Sequence, residues 1–322
     1  MRRQNNLSYT ILLLGLVSGL LVLVLVPHFA SRYMISFLIL IFMYITLANS
    51  WNMLAGYAGY VSLGHGVFFG IGGYTFALCI MKLGFNIFLA LIMSSIVTAM
   101  FALLIGLVLM TTRIRIAYFA IMTLGLNEIF KIVIANTESL GASYGFTLPP
   151  IPTLLIPYYI FLGLAILSVL VIVWIDKSNF GLGLKSILQD EEVAESIGVS
   201  TSKYKIMVFI LSSIFPGVSG GAIAWFWSYI DPYLAFDLAI SMDCAIMTIF
   251  GGSGTIWGPV IGAGFLRILV EMLWVKIPYF HAIIYSILLI LIVIWAPGGL
   301  VELFRRLNNK YFISKSKSEE YY

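Results

Sequence analysis

The stretch AGYAGYVSLGHGVFFGIGGY, residues Ala55 to Tyr74, sets glycines at 56, 59, 64, 66, 70, 72 and 73 around Ser62 and His65, and it lies between long apolar runs. Helix-breaking glycine at this density inside lipid strands backbone N–H and C=O groups, each costing several kcal/mol unless protein or a water-filled cavity satisfies it. The stretch is therefore expected to be a broken or re-entrant span, buried in protein or bordering a path. In transporters, a glycine-interrupted hydrophobic segment marks the route of a polar substrate.

Composition sets the class around it. Of the 322 residues, 61% are hydrophobic and only 10% charged, with a mean hydropathy of +1.04, too little polar surface for a water-soluble globule of this size. Apolar runs recur at the roughly 20 residues that cross a hydrocarbon core of about 30 Å as helix. The alternating ten-residue segments of a β-barrel are missing from the sequence. The expectation is an all-α polytopic helical bundle of about ten membrane spans, near 9–27, 34–52, 62–81, 86–110, 116–135, 156–175, 206–226, 238–250, 257–275 and 280–296. No small-residue cleavage site follows Pro27-His28, so the first run reads as a helix rather than a signal peptide. Splitting ten spans into two fives would give halves of opposite orientation, an inverted repeat.

Placing the N-terminus inside puts most of the 18 basic residues on the cytoplasmic side, Arg2, Arg113, Lys177, Lys205 and Arg306 among them. Only Arg32, Lys82 and Lys276 fall outside, while Lys131 and Arg267 sit within spans. This bias obeys the positive-inside rule and predicts both termini in the cytoplasm. The net charge of +4 thus records topology and does not suggest nucleic acid as a partner. Residues 1–307 read as one transmembrane domain and 308–322 as a solvated cytoplasmic tail.

Two loops stand out. The external loop from Asn136 to Pro157, with Pro149, Pro150 and Pro152, reads as a stiff extended connection that caps the pathway or docks a partner, or simply links two spans. In the cytoplasmic loop from Asp176 to Lys205, SILQDEEVAESIG reads as a short amphipathic helix. Ile187, Leu188, Val193, Ala194 and Ile197 gather on one side, Asp190, Glu191, Glu192 and Glu195 on the other, and Gly198 supplies the stop. Membrane-surface helices favour lysine and arginine, so the acidic rim favours a groove on a cytosolic protein.

Motifs for chemistry are scarce. GGSGTIWG at 251–258 lacks the lysine and hydroxyl residue that end a P-loop, and the three histidines and two cysteines form no metal-ligand spacing. Catalytic residues, metal ligands and cofactors are therefore expected to be absent from this chain. Glu128 with Lys131, and Arg267 with Glu271, can pair along one helix face, whereas Asp243 has no partner nearby in sequence. An ion-coupled secondary carrier would have to rest on Asp243 and Glu128. His65 can line a pathway or cap a broken helix, and Gly70, Gly72 and Gly73 suit close helix approach as well as a pore wall.

NMLAGYAGYVSLGHGVFFGIGGY at 52–74, QDEEVAESIGV at 189–199 followed by Tyr204-Lys205, and IFGGSGTIWGPVIGA at 249–263 together resemble the permease subunits of ABC importers for branched-chain amino acids, of the LivM type. The resemblance covers roughly residues 45 to 300. It implies a pathway at Asn52, Gly56, Gly59, Ser62, Gly64, His65 and Gly66, and coupling to an ATPase through Glu191, Glu192, Ala194, Glu195 and Gly198. Val193 departs from the usual Glu-Ala-Ala pattern of the coupling helix. The partners implied are a homologous second permease, two cytosolic ATPases carrying ATP and Mg²⁺, and an extracytoplasmic solute-binding protein, all around a lipid bilayer. Urea or short-chain amides, carried by permeases of the same family, are the alternative substrates.

Overall fold

The computed structural model describes residues 18–19, 21–111, 116–277, 279–280, 283–284, 287 and 299–302. Much of the first expected span, most of the tenth, Arg113, Arg115 and the tail from 308 lie outside the described residues. The described chain is helical nearly throughout. Helix α1 (21–29) leads into α2 (Arg32–Trp51), α3 (His65–Met81), α4 (Ile87–Leu109), α5 (Ile116–Ala135) and α6 (Leu155–Lys177). After α7 (Asn179–Gln189) and α8 (Glu191–Ser196) come α9 (Thr201–Trp227), α10 (Pro232–Ala235), α11 (Leu238–Gly251) and α12 (Gly258–Lys276). Seven segments are long and apolar enough to cross a membrane, and α3 is a shorter apolar helix. These eight coincide with eight of the ten expected spans.

Helix starts follow local chemistry. Ser31 accepts from the Met34 N–H ahead of α2, Asn86 from Leu89 ahead of α4, and Asp231 from Tyr233 and Leu234 ahead of α10, each satisfying donors that a helix start leaves free.

The break at the glycine-rich stretch is narrower than its composition suggests. α2 widens into a π-turn at Asn52–Gly56, the chain is non-helical over 59–64, and helix resumes at His65. Glycines 66, 70, 72 and 73 all lie inside α3. Their role there is close packing, because a Cβ at Gly72 would overlap the Gly217 carbonyl and one at Gly220 the Phe69 carbonyl. Small residues on both helices let α3 and α9 approach backbone to backbone, the main attraction available between helices in lipid.

Within α9, Pro216 has no N–H to give the Ser212 carbonyl. The Ser50 hydroxyl of α2 donates to that carbonyl instead. Thr248 of α11 likewise donates to the Ala48 carbonyl at 2.9 Å, and Asn49 to Ser168 of α6 at 2.9 Å. Hydroxyls and amides in the core thus knit α2 to three neighbours.

Connections segregate to two ends. At one end, Asn52 meets the turn at 252–257 and Tyr60 meets α8. At the other, Lys82 donates to the Ser139 carbonyl at 2.7 Å. There the 136–157 loop is not simply extended: it folds through two 3₁₀ turns into β1 (Phe146–Thr147), which pairs antiparallel with β2 (Tyr229–Ile230). From β2 the chain dips back inward, so that Phe236 reaches Gly70 and the Asp237 carbonyl reaches Gly66. This descent explains why the span at 238–250 is short: α11 begins at the depth where α3 begins.

Candidate functional site

The non-helical bridge 59–64 and the start of α3 sit where α2, α5, α9 and α11 meet. An α3 of 17 residues rises only about 25 Å, less than a hydrocarbon core of about 30 Å. The free N–H groups of its first turn, buried among neighbouring helices, need partners. The Leu63 N–H donates to Thr123 Oγ1 of α5 at 3.1 Å, Gly64 to Ser62 Oγ at 3.2 Å, and Gly66 to Ser241 Oγ of α11 at 2.9 Å. Trp51 Nε1 donates to the Ser62 carbonyl at 2.9 Å. A broken helix end is thereby closed by side chains from its neighbours, as lipid-buried backbone requires.

Each pathway residue expected from the sequence has a definite place here. Asn52 spends its whole amide on the turn after α11: Nδ2 donates to the Thr255 carbonyl at 3.0 Å and Oδ1 accepts from the Gly254 N–H at 2.8 Å. The first and third sequence motifs are thus joined. Gly56 leaves room for that bond, since a Cβ there would strike Asn52 Oδ1 and the Gly254 nitrogen. Gly59 has φ +80 and lies under Leu188 of α7, a left-handed conformation that disfavours any side chain. Gly64 abuts Thr123, and Gly66 abuts Asn127 Oδ1. His65 is fully buried, edge-on to Phe68. Neither of its ring nitrogens has a hydrogen-bond partner among the described residues; the Ser50 main chain is a polar neighbour without hydrogen-bonding geometry.

Asn52, Ser62 and His65 are all 0% exposed, and the cavity beside Gly64, lined by Phe68, Thr123 and Phe209 among others, measures 10 Å³, room for about one water. A larger cleft of 310 Å³ opens at the end of the molecule that carries α8, between Asp176, Lys185, Thr255 and Trp257.

The acidic stretch forms two helices in place of the single one expected. Asp190 adopts an extended conformation and caps α8 by accepting from Glu192 and Val193, so Ile187 belongs to α7 and is buried there. Only Ala194 of α8 is buried. Val193 and Ile197 are exposed at 57% and 70%, beside exposed Glu192 and Glu195. Gly198 ends the helix with φ +89, the left-handed stop that glycine supplies most readily.

Glu191 turns inward. Its Oε1 pairs with Lys205 Nζ of α9 at 2.5 Å and its Oε2 accepts from Tyr60 Oη at 2.8 Å. Burial pushes the Glu191 carboxyl up, but the hydrogen bonds from Lys205 and Tyr60 and the Lys205 charge together hold it below its ordinary value. Lys205 is 1% exposed; the sequence marked it as a cytoplasmic basic residue following Tyr204, with nothing to show that it is buried against Glu191. Tyr60, Thr123 and Ser241 carried no sequence signal, because aromatic and hydroxyl residues are ordinary in apolar helices.

The intramembrane charges pair as expected within their helices, Glu128 with Lys131 at 2.6 Å and Arg267 with Glu271 at 3.8 Å. Asp243 finds its partner across helices, accepting from Tyr44 Oη at 3.2 Å, and the Arg267 guanidinium lies over the Tyr44 ring at 5.4 Å.

The described residues thus form a helical, multi-pass bundle with a broken, internally capped helix at its centre and an acidic helix at one end. Over residues 33–294 the chain matches the family described as branched-chain amino acid transport system / permease component, and it belongs to that family. Among its relatives, the high-affinity branched-chain amino acid transport system permease protein LivM of Salmonella typhimurium (strain LT2) is 27% identical, over 91% of this chain and 75% of that protein. LivM of Escherichia coli (strain K12) is 28% identical over the same shares. The permease protein LivH of Salmonella typhimurium is 22% identical over 80% of this chain and 91% of that one. No solved structure matches the chain. The chain is a multi-pass inner-membrane protein.

Proposed function

We propose that this chain is the transmembrane permease subunit of an ATP-driven importer for branched-chain, apolar amino acids. It receives substrate from an extracytoplasmic solute-binding protein, pairs with a homologous second permease, and couples to two cytosolic ATPases that carry the ATP and Mg²⁺; the chain itself holds no cofactor. Ten spans with both termini in the cytoplasm, and one permease domain over 1–307 with a tail at 308–322, complete the reading.

The observation that carries it is α8: a helix at one end of the bundle presents exposed Val193 and Ile197 within an acidic rim, and it is bonded to the bridge ahead of α3. An apolar ridge of this kind fits a groove on a partner protein. The pathway runs by Asn52, Gly56, Gly59, Ser62, Gly64, His65 and Gly66, and opens when the caps at the start of α3 part. There a substrate carboxylate would take the helix N-terminus that hydroxyls now occupy. ATP acts on this equilibrium only through its different affinity for the two ATPase states.

Reconstitution in liposomes tests the reading. The chain alone should give no leucine uptake, and uptake should appear only with the second permease, the ATPases, the binding protein and ATP. Uptake by the chain alone would reject it.

A further inference from the structure

We infer that Lys205, Glu191 and Tyr60 form a transmission link through which movement of α8 displaces the bridge 59–64, so that Tyr60 and Lys205 are positioning residues for transport. The inference rests on the proposed coupling role of α8.

The geometry supplies each joint. α8 is six residues long, held between extended Asp190 and left-handed Gly198, and its one buried side chain is Ala194. Two of its side chains make polar attachments to the body of the protein: Glu195 accepts from Thr201 Oγ1 at the start of α9 at 2.7 Å, and Glu191 alone reaches the bridge, its two carboxylate oxygens meeting Lys205 on α9 and Tyr60. Lys205 Nζ also donates to Tyr60 Oη at 3.3 Å and lies 5.3 Å from the Tyr60 ring centroid. Pulling Glu191 away alone would leave a 1%-exposed ammonium without its carboxylate, a costly arrangement in a desolvated site. Carboxylate, ammonium and phenol therefore move together.

Beyond Tyr60 the link continues through aromatic contacts. The Tyr60 ring meets Phe119 of α5 edge-on at 5.4 Å, Phe119 meets Phe209 of α9 at 6.0 Å, and Phe209 meets Phe68 of α3 at 5.3 Å. Phe68 and Phe209 line the small cavity beside Gly64, where Thr123 caps the start of α3. A shift of Tyr60 is thus delivered to the caps at the start of α3.

The near side of the bridge has a separate, fixed anchor. Tyr57 Oη donates to Asp176 Oδ1 at 3.3 Å, and Lys185 Nζ donates to the same oxygen at 2.7 Å. Between the two tyrosines lies Gly59 with φ +80. One tyrosine is held by the junction of α6 and α7, the other by α8, and the residue between them has the backbone freedom of a hinge.

The test uses the full complex in liposomes, with radiolabelled leucine, comparing wild type, Tyr60→Phe, Glu191→Gln and the double variant. Uptake per ATP hydrolysed is measured beside the yield of a cross-link from Ile197→Cys to the ATPase and the thermal midpoint. Tyr60→Phe should lower uptake per ATP about tenfold, the scale of one lost hydrogen bond to a charged group, with the cross-link yield retained and the midpoint lowered no more than in Ser50→Ala, a variant outside the link that should keep its uptake per ATP. The double variant should be no worse than the more severe single variant, as expected for groups acting as a unit. Uptake per ATP within twofold of wild type in Tyr60→Phe, with the cross-link intact, would overturn the link while leaving the α8 reading in place. A wild-type complex in which Ile197→Cys never cross-links to the ATPase would overturn the α8 reading, and the link with it. Should Glu191→Gln fail to assemble, Tyr60→Phe alone decides, since it removes one hydroxyl and keeps the ring.

Discussion

Ser50 stands opposite the proline of α9 and donates its hydroxyl to the carbonyl that Pro216 leaves free. Ser50→Ala should cost about 1–3 kcal/mol, the penalty for an unsatisfied buried acceptor, and lower the thermal midpoint in detergent; an unchanged midpoint would refute this role. Glu191 carries a pH prediction. Its folded carboxyl ionises below the ordinary value because Lys205 and Tyr60 outweigh burial. The stability it contributes is complete above the ordinary carboxylate value and lost as pH falls through the folded one. Acid titration of wild type against Glu191→Gln should show that loss only in wild type. At this scale the sequence was least legible. A serine in an apolar helix looks the same whether it bonds its own turn, as Ser213 does with the Ile210 carbonyl, or rescues a neighbour, as Ser50 does.

Glycine density located the break in the helices, and the structure sets its limits. The six residues 59–64 unwind, while Gly66 to Gly73 remain helical: Gly72 and Gly73 meet Gly217 and Gly220 of α9, and Gly66 and Gly70 meet the Asp237 carbonyl and the Phe236 ring. Nothing in the glycine-rich stretch itself announces the complementary small residues some 145 positions later. Gly72→Val should therefore abolish folding or membrane accumulation of the chain, whereas Gly125→Ala, with open space around it, should accumulate normally; equal accumulation would contradict the packing role. The acidic helix was legible in its amphipathic pattern but not in its division at Asp190, whose capping oxygen only becomes decisive once Ile187 is drawn into the core. Charge reversal at exposed Glu192 should leave stability within about 0.5 kcal/mol while lowering ATP-driven uptake severalfold; unaltered uptake would count against α8 as the ATPase contact.

For the molecule as a whole, hydropathy gave eight of the described helices their approximate limits, since lipid demands a long apolar run wherever the chain crosses. The descent from β2 to Phe236 was hidden, because re-entry leaves only a short span as its trace. The segregation of loops to two ends agrees with alternate crossings, and the proposed topology, read from the basic residues, puts the α8 end in the cytoplasm. The most direct measurement is cysteine labelling in intact cells, with Cys79 and Cys244, both buried, replaced. A cysteine at Ile197 should react with an impermeant maleimide only after permeabilisation and be shielded when the ATPases are co-produced, while one at Tyr144, 87% exposed at the opposite end, should react in intact cells. Labelling of Ile197→Cys in intact cells, or labelling indifferent to the ATPases, would contradict the account.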